Sequence, residues 1–137
     1  DDNNSDYRLL NDVVATWEVN ESWKVGANFD YANEEDVVGN HDGSLYGFGG
    51  YVRYNVNEAM YLAVRGEYID DDDGLATGTV DNKLWEITAT LGYTVTEGLL
   101  TRLEYRHDNA DEDIFADEGA KVDDQQDTIS LEVIYSF

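Results

Sequence analysis

The chain closes on DTISLEVIYSF, residues 127–137, and the alternation in that stretch decides the fold. Ile129, Leu131, Val133, Tyr135 and Phe137 fall on one phase, while Thr128, Ser130, Glu132 and Ser136 fall on the other, with Ile134 as the break. A period of two is the mark of a strand with one apolar and one polar face. The question it raises is what an apolar face touches in so acidic a chain.

The 137 residues hold 31 acidic and 8 basic side chains, for a formal charge of −23. Such a polyanion does not bind a nucleic-acid backbone, which needs a basic surface. Low hydropathy with high charge points toward disorder, but 3 Trp, 10 Tyr and 4 Phe oppose it, because disordered chains are poor in aromatics. No run of 18 apolar residues suggests a membrane helix. The start, DDNNSDYRLL, has neither the basic nor the apolar region of a signal peptide, so a mature protein or a fragment is expected. Without Cys, disulfides and thiolate metal sites are excluded. Lack of Pro suits a chain made mostly of paired strand.

Three short segments resemble one another: VNESW at 19–23, VNEAM at 56–60 and VTEGL at 95–99, spaced 37 and 39 residues apart. A recurrence of this length implies a repeated supersecondary unit, and the short polar link inside each reads as a tight hairpin turn. With those turns as anchors, seven strands are expected at about 7–19, 23–32, 44–56, 60–69, 84–95, 99–107 and 128–137. Between the hairpins lie three long connections, and they hold 18 of the 31 acidic residues. All short turns therefore fall at one end of the sheet and all long acidic connections at the other.

Within those strands the charged residues Arg8, Asp12, Glu18, Lys24, Asp30, Arg53, Arg65, Glu67, Glu86, Arg102, Glu104, Arg106 and Glu132 all share one phase. The opposite phase is apolar and carries Trp17, Trp23, Tyr31, Tyr46, Tyr54, Tyr68, Trp85, Tyr93 and Tyr105. Trp23 to Tyr31, Tyr46 to Tyr54 and Trp85 to Tyr93 each span eight residues. At roughly 3.3 Å per residue and a tilt near 40°, two aromatic rows stand about 20 Å apart, close to the apolar band of an outer-membrane barrel. Rings with a polar edge belong at a membrane interface, so these nine residues are expected there and the apolar face is expected to touch lipid.

These features resemble a bacterial outer-membrane β-barrel. The terminal alternation Leu131, Val133, Tyr135, Phe137 is similar to the signal that the barrel assembly machinery reads. More narrowly, TRLEYRHDNADEDIF at 101–115 followed by the closing strand resembles the end of the OmpL-like β-barrel porin family. The resemblance implies an all-β, antiparallel up-and-down transmembrane barrel in the outer membrane, with passive diffusion of small polar solutes or ions as its activity. Its implied partners are outer-membrane lipid, the assembly machinery and those solutes, and a homo-oligomer is compatible with that setting. Such barrels have even strand numbers and both ends in the periplasm. Seven strands beginning at the long-loop end therefore suggest that residues 1–137 are the C-terminal portion of one larger barrel domain.

Under that reading Arg53, Arg65, Glu67, Glu86, Arg102, Glu104, Arg106 and Glu132 line the lumen, where fixed charges set ion selectivity. The plainer alternative is a salt-bridged plug filling a narrow barrel. The run Asp70 to Asp73 before Gly74 invites a calcium reading but lacks the spacing of an EF-hand loop. The dense set Asp111, Glu112, Asp113, Asp117, Glu118, Asp123 and Asp124 is irregular, and loosely solvated cations suit both better. No cofactor or resident metal is expected. His41 and His107 fall near the loop end; His107 beside Asp108 has no serine fixed next to it by any motif, so no enzyme is expected. Two other classes compete: a structural or adhesive barrel whose acidic loops bind a partner, and a soluble sandwich that buries the apolar face under a second sheet.

Overall fold

A computed structural model describes residues 7–38, 41–117 and 121–137, excluding the side chains of residues 36–38, 41 and 117. Among the described residues nine strands follow one another: β1 (Arg8–Glu18), β2 (Trp23–Val38), β3 (His41–Asn55), β4 (Met60–Asp71), β5 (Asn82–Thr96), β6 (Leu99–Ala110), β7 (Phe115–Asp117), β8 (Lys121–Asp123) and β9 (Gln125–Tyr135). Seven form one antiparallel meander in the order β1-β2-β3-β4-β5-β6-β9, and β7 with β8 make a small separate hairpin. The seven expected strands are present in the expected order. The β7–β8 hairpin, inside the third acidic connection, was not foreseen.

The short turns owe their shape to their sequence. Asn20 Oδ1 accepts the amides of Ser22 and Trp23, both at 2.9 Å, and Asn57 Oδ1 accepts those of Ala59 and Met60 at the same distances. A side chain that caps its own turn in this way fixes the hairpin register. The third turn has Thr96 instead of Asn, and there Gly98 takes φ +78 while its carbonyl accepts Ser136 N at 2.8 Å.

At the other end the strands run further than the sequence suggests. β2 and β3 extend until Val38 pairs with His41, with an irregularity between Glu34 and Val38, and β4 pairs with β5 up to Asp71 and Asn82. Polar residues fill both phases there, so alternation is invisible although the backbone ladder continues. One consequence corrects the charge separation expected above. Asp70, Lys83, His107 and Asp127 lie on the apolar phase, and Glu34, Asp71 and Asp108 join the polar one.

Burial along β5 inverts the arrangement of a water-soluble sheet. Glu86 and Thr88 on the polar phase are 6% and 7% exposed, whereas Trp85 and Ile87 on the apolar phase are 43% and 45% exposed. The polar side chains pack together on the face that carries the ion pairs, and the large apolar ones stand outward. Soluble proteins do not expose contiguous apolar surface on this scale.

Candidate functional site: the polar face of the sheet and its outer rim

Strand register orders the polar face into rows. One row runs Gly26, Tyr51, Arg65, Thr88, Arg106, Thr128, each paired with the next. The neighbouring row toward the long loops is Asn28, Gly49, Glu67, Glu86, Asp108, Gln126. A row of guanidiniums thus abuts a row of carboxylates, and Glu86 joins them. Arg65 Nε lies 2.8 Å from Glu86 Oε1, Arg106 Nε lies 3.2 Å from Glu86 Oε2, and Thr88 Oγ1 donates to Oε2 at 2.7 Å. Arg65 also faces Glu67 at 3.6 Å, and Arg106 is bound to Asp108. Toward the short turns, Arg102 pairs with its register partner Glu132, and Thr90 donates to Glu104 at 2.9 Å. Arg53 sits 3.7 Å above the Tyr61 ring and donates from Nε to Asn55 Oδ1 at 2.9 Å, with no carboxylate partner among the described residues.

All eight residues expected to line a lumen therefore share this face. Two aromatic residues that sequence reading passed over share it too. Tyr51 packs over Gly26 and Tyr61 over Gly92, so closely that a Cβ on either glycine would fall inside the ring. Their phase, odd in β3 and β4 like Arg53 and Arg65, was the available signal; the glycine opposite each is visible only in the register.

The other face carries the aromatic residues, and their rows slope. Tyr31 pairs with Tyr46; Tyr68 pairs with Trp85 one row nearer the short turns; Tyr105 lies two rows further still. Six residues of descent across four strand spacings amount to about 20 Å over about 19 Å, a slope of about 45°. The second girdle, from Trp17 through Trp23 and Tyr54 to Tyr93, falls four residues over four spacings, about 35°. If each girdle is level at a flat interface, these slopes are the strand tilt, and they bracket the roughly 35–45° of transmembrane barrels. Leu131, Val133 and Tyr135 continue this face along β9, exposed, with Phe137 beyond it.

Where the girdle meets the long-loop end, tyrosine hydroxyls donate to carboxylates. Tyr46 and Tyr68 donate to Asp70 Oδ2 at 2.7 and 3.3 Å, with Lys83 Nζ 3.5 Å away, and Tyr105 donates to Asp127 Oδ1 at 2.7 Å. His107 Nδ1 is 2.9 Å from that same Asp127 oxygen. The expected neighbour of His107, Asp108, instead faces the polar side. On the His107 face of β5, β6 and β9, the Ser or Thr hydroxyl present is that of Thr101, six residues along β6, so no hydrolytic triad is assembled there. The side chain of His41 lies outside the described residues.

The acidic run after β4 is committed to the loop itself. Asp71 accepts the amides of Leu75, Ala76 and Thr77 and the Thr77 hydroxyl, while Asp73 Oδ2 accepts Ser44 N at 2.8 Å. Among the described residues no group of three or more carboxylates or histidines gathers to hold a metal; of the second acidic set, Glu118 and the Asp117 side chain lie outside those residues. Beyond the strands, a hydrogen bond with Asp70 raises Asp72 above the usual carboxylate range, and one with Asp123 does the same for Asp124.

An antiparallel meander whose polar face is packed with ion pairs and whose apolar face bears two sloping aromatic girdles is the wall of an up-and-down transmembrane barrel. The chain belongs to the family described as "Putative beta-barrel porin-2, OmpL-like", whose model matches residues 1–137, and this places it in the bacterial outer membrane. Among solved structures it is similar in fold to the NanC porin in a rhombohedral crystal form, with TM-score 0.73 and 15% identity over 95% of this chain. The chain spans 64% of that porin's length. Sequence comparison with curated proteins gave no match.

Proposed function

We propose that this chain forms part of the wall of a channel for passive diffusion of small polar solutes and ions, with a mild cation preference set mainly by its acidic outer end. The observation that supports this reading is the inverted burial of β5, in which Glu86 and Thr88 are buried on one side while Trp85, Ile87 and Leu91 are exposed on the other. Arg53, Arg65, Glu67, Glu86, Arg102, Glu104, Arg106 and Glu132 would line the lumen, and the nine girdle aromatics would sit at the interfaces. Leu131, Val133, Tyr135 and Phe137 would be read during assembly.

Closure adds a parity argument. The open edges, β1 and β9, run in the same direction because seven strands separate them inclusively. An all-antiparallel barrel then needs an odd number of further strands, which favours residues 1–137 as one portion of a larger barrel domain.

The test is conductance of the intact protein in a planar bilayer. Stable ohmic steps are expected. A properly inserted protein that conducts nothing would favour the second reading, a structural or adhesive barrel with a filled interior, which the dense pairing around Glu86 would suit.

A further inference from the structure

On the polar face, between the row of Arg65 and Arg106 and the row of Ala63, Thr90 and Glu104, lies a concavity of about 270 Å³. Ala63, the smallest side chain of its row, gives it depth. Tyr51 lines it as well, held in place by its packing over Gly26. Its remaining wall is Val64, Thr88, Thr128 and Ser130, so hydroxyls, guanidinium N–H groups, one carboxylate, one aromatic ring and a little aliphatic surface converge on a single hollow.

The charge of the wall limits what it takes. Arg65 is neutralised from behind by Glu86 and Glu67, and Arg106 by Glu86 and Asp108, so neither presents a net positive field. Both remain nearly half exposed, with N–H groups left over beyond those bonds. Glu104 contributes an acceptor whose Oε2 already receives Thr90. An anion gains little at such a wall and a cation must displace the arginines. A ligand with many hydroxyls, each both donor and acceptor, and with one apolar C–H face to lay on a tyrosine, matches every group present. The volume is just under the about 300 Å³ at which small-molecule pockets usually begin, which suits one sugar ring.

We infer that Tyr51, Arg65, Thr90, Glu104 and Arg106 form a subsite for one ring of an uncharged sugar on the inner wall of the barrel. This rests on the channel reading, but the two fail separately. The intact protein in planar bilayers is titrated with maltose while ion current is recorded, and maltose and glucose binding to the detergent-solubilised protein is measured by calorimetry. Expected are interruptions of the current by maltose, and binding weakened roughly tenfold by Tyr51→Ser and restored by Tyr51→Phe. Glu104→Gln, which keeps the volume, gives a second reading should Tyr51→Ser leave Gly26 uncovered and the barrel unfolded; it too should weaken maltose. Binding without conductance would sustain the subsite and sink the channel. Conductance without maltose block or binding, or binding indifferent to both Tyr51→Ser and Glu104→Gln, would overturn the subsite. Glucuronate binding tighter than glucose would overturn its uncharged character.

Discussion

Arg65 and Glu86 are bonded at 2.8 Å across adjacent strands, and the same carboxylate reaches Arg106 on the far side of β5. One acidic group thus compensates two guanidiniums on facing strands, and its removal is asymmetric in effect. Glu86→Ala leaves two cations on the polar face without their shared partner. Unfolding in lipid should show a loss of about 1 to 2 kcal/mol, below the 3 to 5 typical of fully buried pairs because both arginines reach water. The stronger signature is permeation. Reversal potentials should move toward anions, and an unchanged selectivity would mean that this cluster does not face the permeating ions.

The lipid face yields a contrast between neighbours. Val64 and Leu91 stand outward between the girdles, Val64 near the middle and Leu91 two residues from Tyr93, while Glu67 points to the polar side. Val64→Arg or Leu91→Arg should cost about 2 to 4 kcal/mol in a bilayer, and Glu67→Gln far less. Similar penalties on both faces, measured by unfolding into lipid vesicles, would contradict the assignment of sides.

Much of this was legible in the chain because one physical constraint, lipid on one side and water on the other, writes a period of two into every strand it touches. The Asn20 and Asn57 turns, the strand order and the girdles from Trp17 to Tyr105 all follow from it. Legibility ends where the constraint ends. Past Tyr31 and Tyr68 both faces meet water, so β2 runs to Val38 and β4 to Asp71 without a pattern to reveal it, and Asp70 reads as loop although it sits in a ladder. Pairings such as Arg106 with Glu86, or Tyr51 over Gly26, depend on register between strands, which no single strand records.

Topology can be read by labelling. The Asn20 and Asn57 turns should face the periplasm and the β4–β5 and β6–β7 connections the outside, since such barrels keep short turns within and long loops without. Gly43 makes a poor reporter, because a side chain there would meet Leu75 Cδ2 at 2.9 Å. Val80 and Glu112 are exposed and suit cysteine substitution better. On intact cells an impermeant thiol reagent should modify those two positions and spare Glu21→Cys and Glu58→Cys; the reverse pattern would invert the barrel.

Gly98 tests the β5–β6 turn, whose Gly98 carbonyl accepts Ser136 N just past the closing strand. Its φ of +78 is a region that side chains avoid, and a Cβ would lie 2.5 Å from the Ser136 carbonyl oxygen. Gly98→Ala should therefore cost about 1 to 2 kcal/mol and slow assembly, whereas Thr96→Ala should be close to neutral. Heat-modifiable gel mobility of the newly made protein would separate the two, and equal behaviour would show that this turn tolerates a side chain.

Ion selectivity follows from where the carboxylates gather. The polar face mixes signs, with Arg65 and Arg106 against Glu67, Glu86 and Asp108, so it discriminates weakly by itself. The long connections and the strand ends beside them hold 18 of the 31 acidic residues, and on the channel reading they would set a negative potential at the outer mouth. That potential concentrates cations, and salt screens it with a Debye length of about 10 Å at 0.1 M and about 3 Å at 1 M. Mild cation preference at low salt should fade toward neutrality near 1 M. Acid should have the same effect, and early: Asp72 and Asp124 are raised by their carboxyl neighbours, so they take up protons at a pH where an ordinary aspartate is still charged, and the mouth loses charge as pH falls through those raised values. Reversal potentials across a KCl gradient, taken at several salt concentrations and pH values, measure both dependences. Cation preference that persists at 1 M would place control at the carboxylates of the wall, and anion preference at any salt would place it at Arg53 and the paired arginines, in either case not at the mouth.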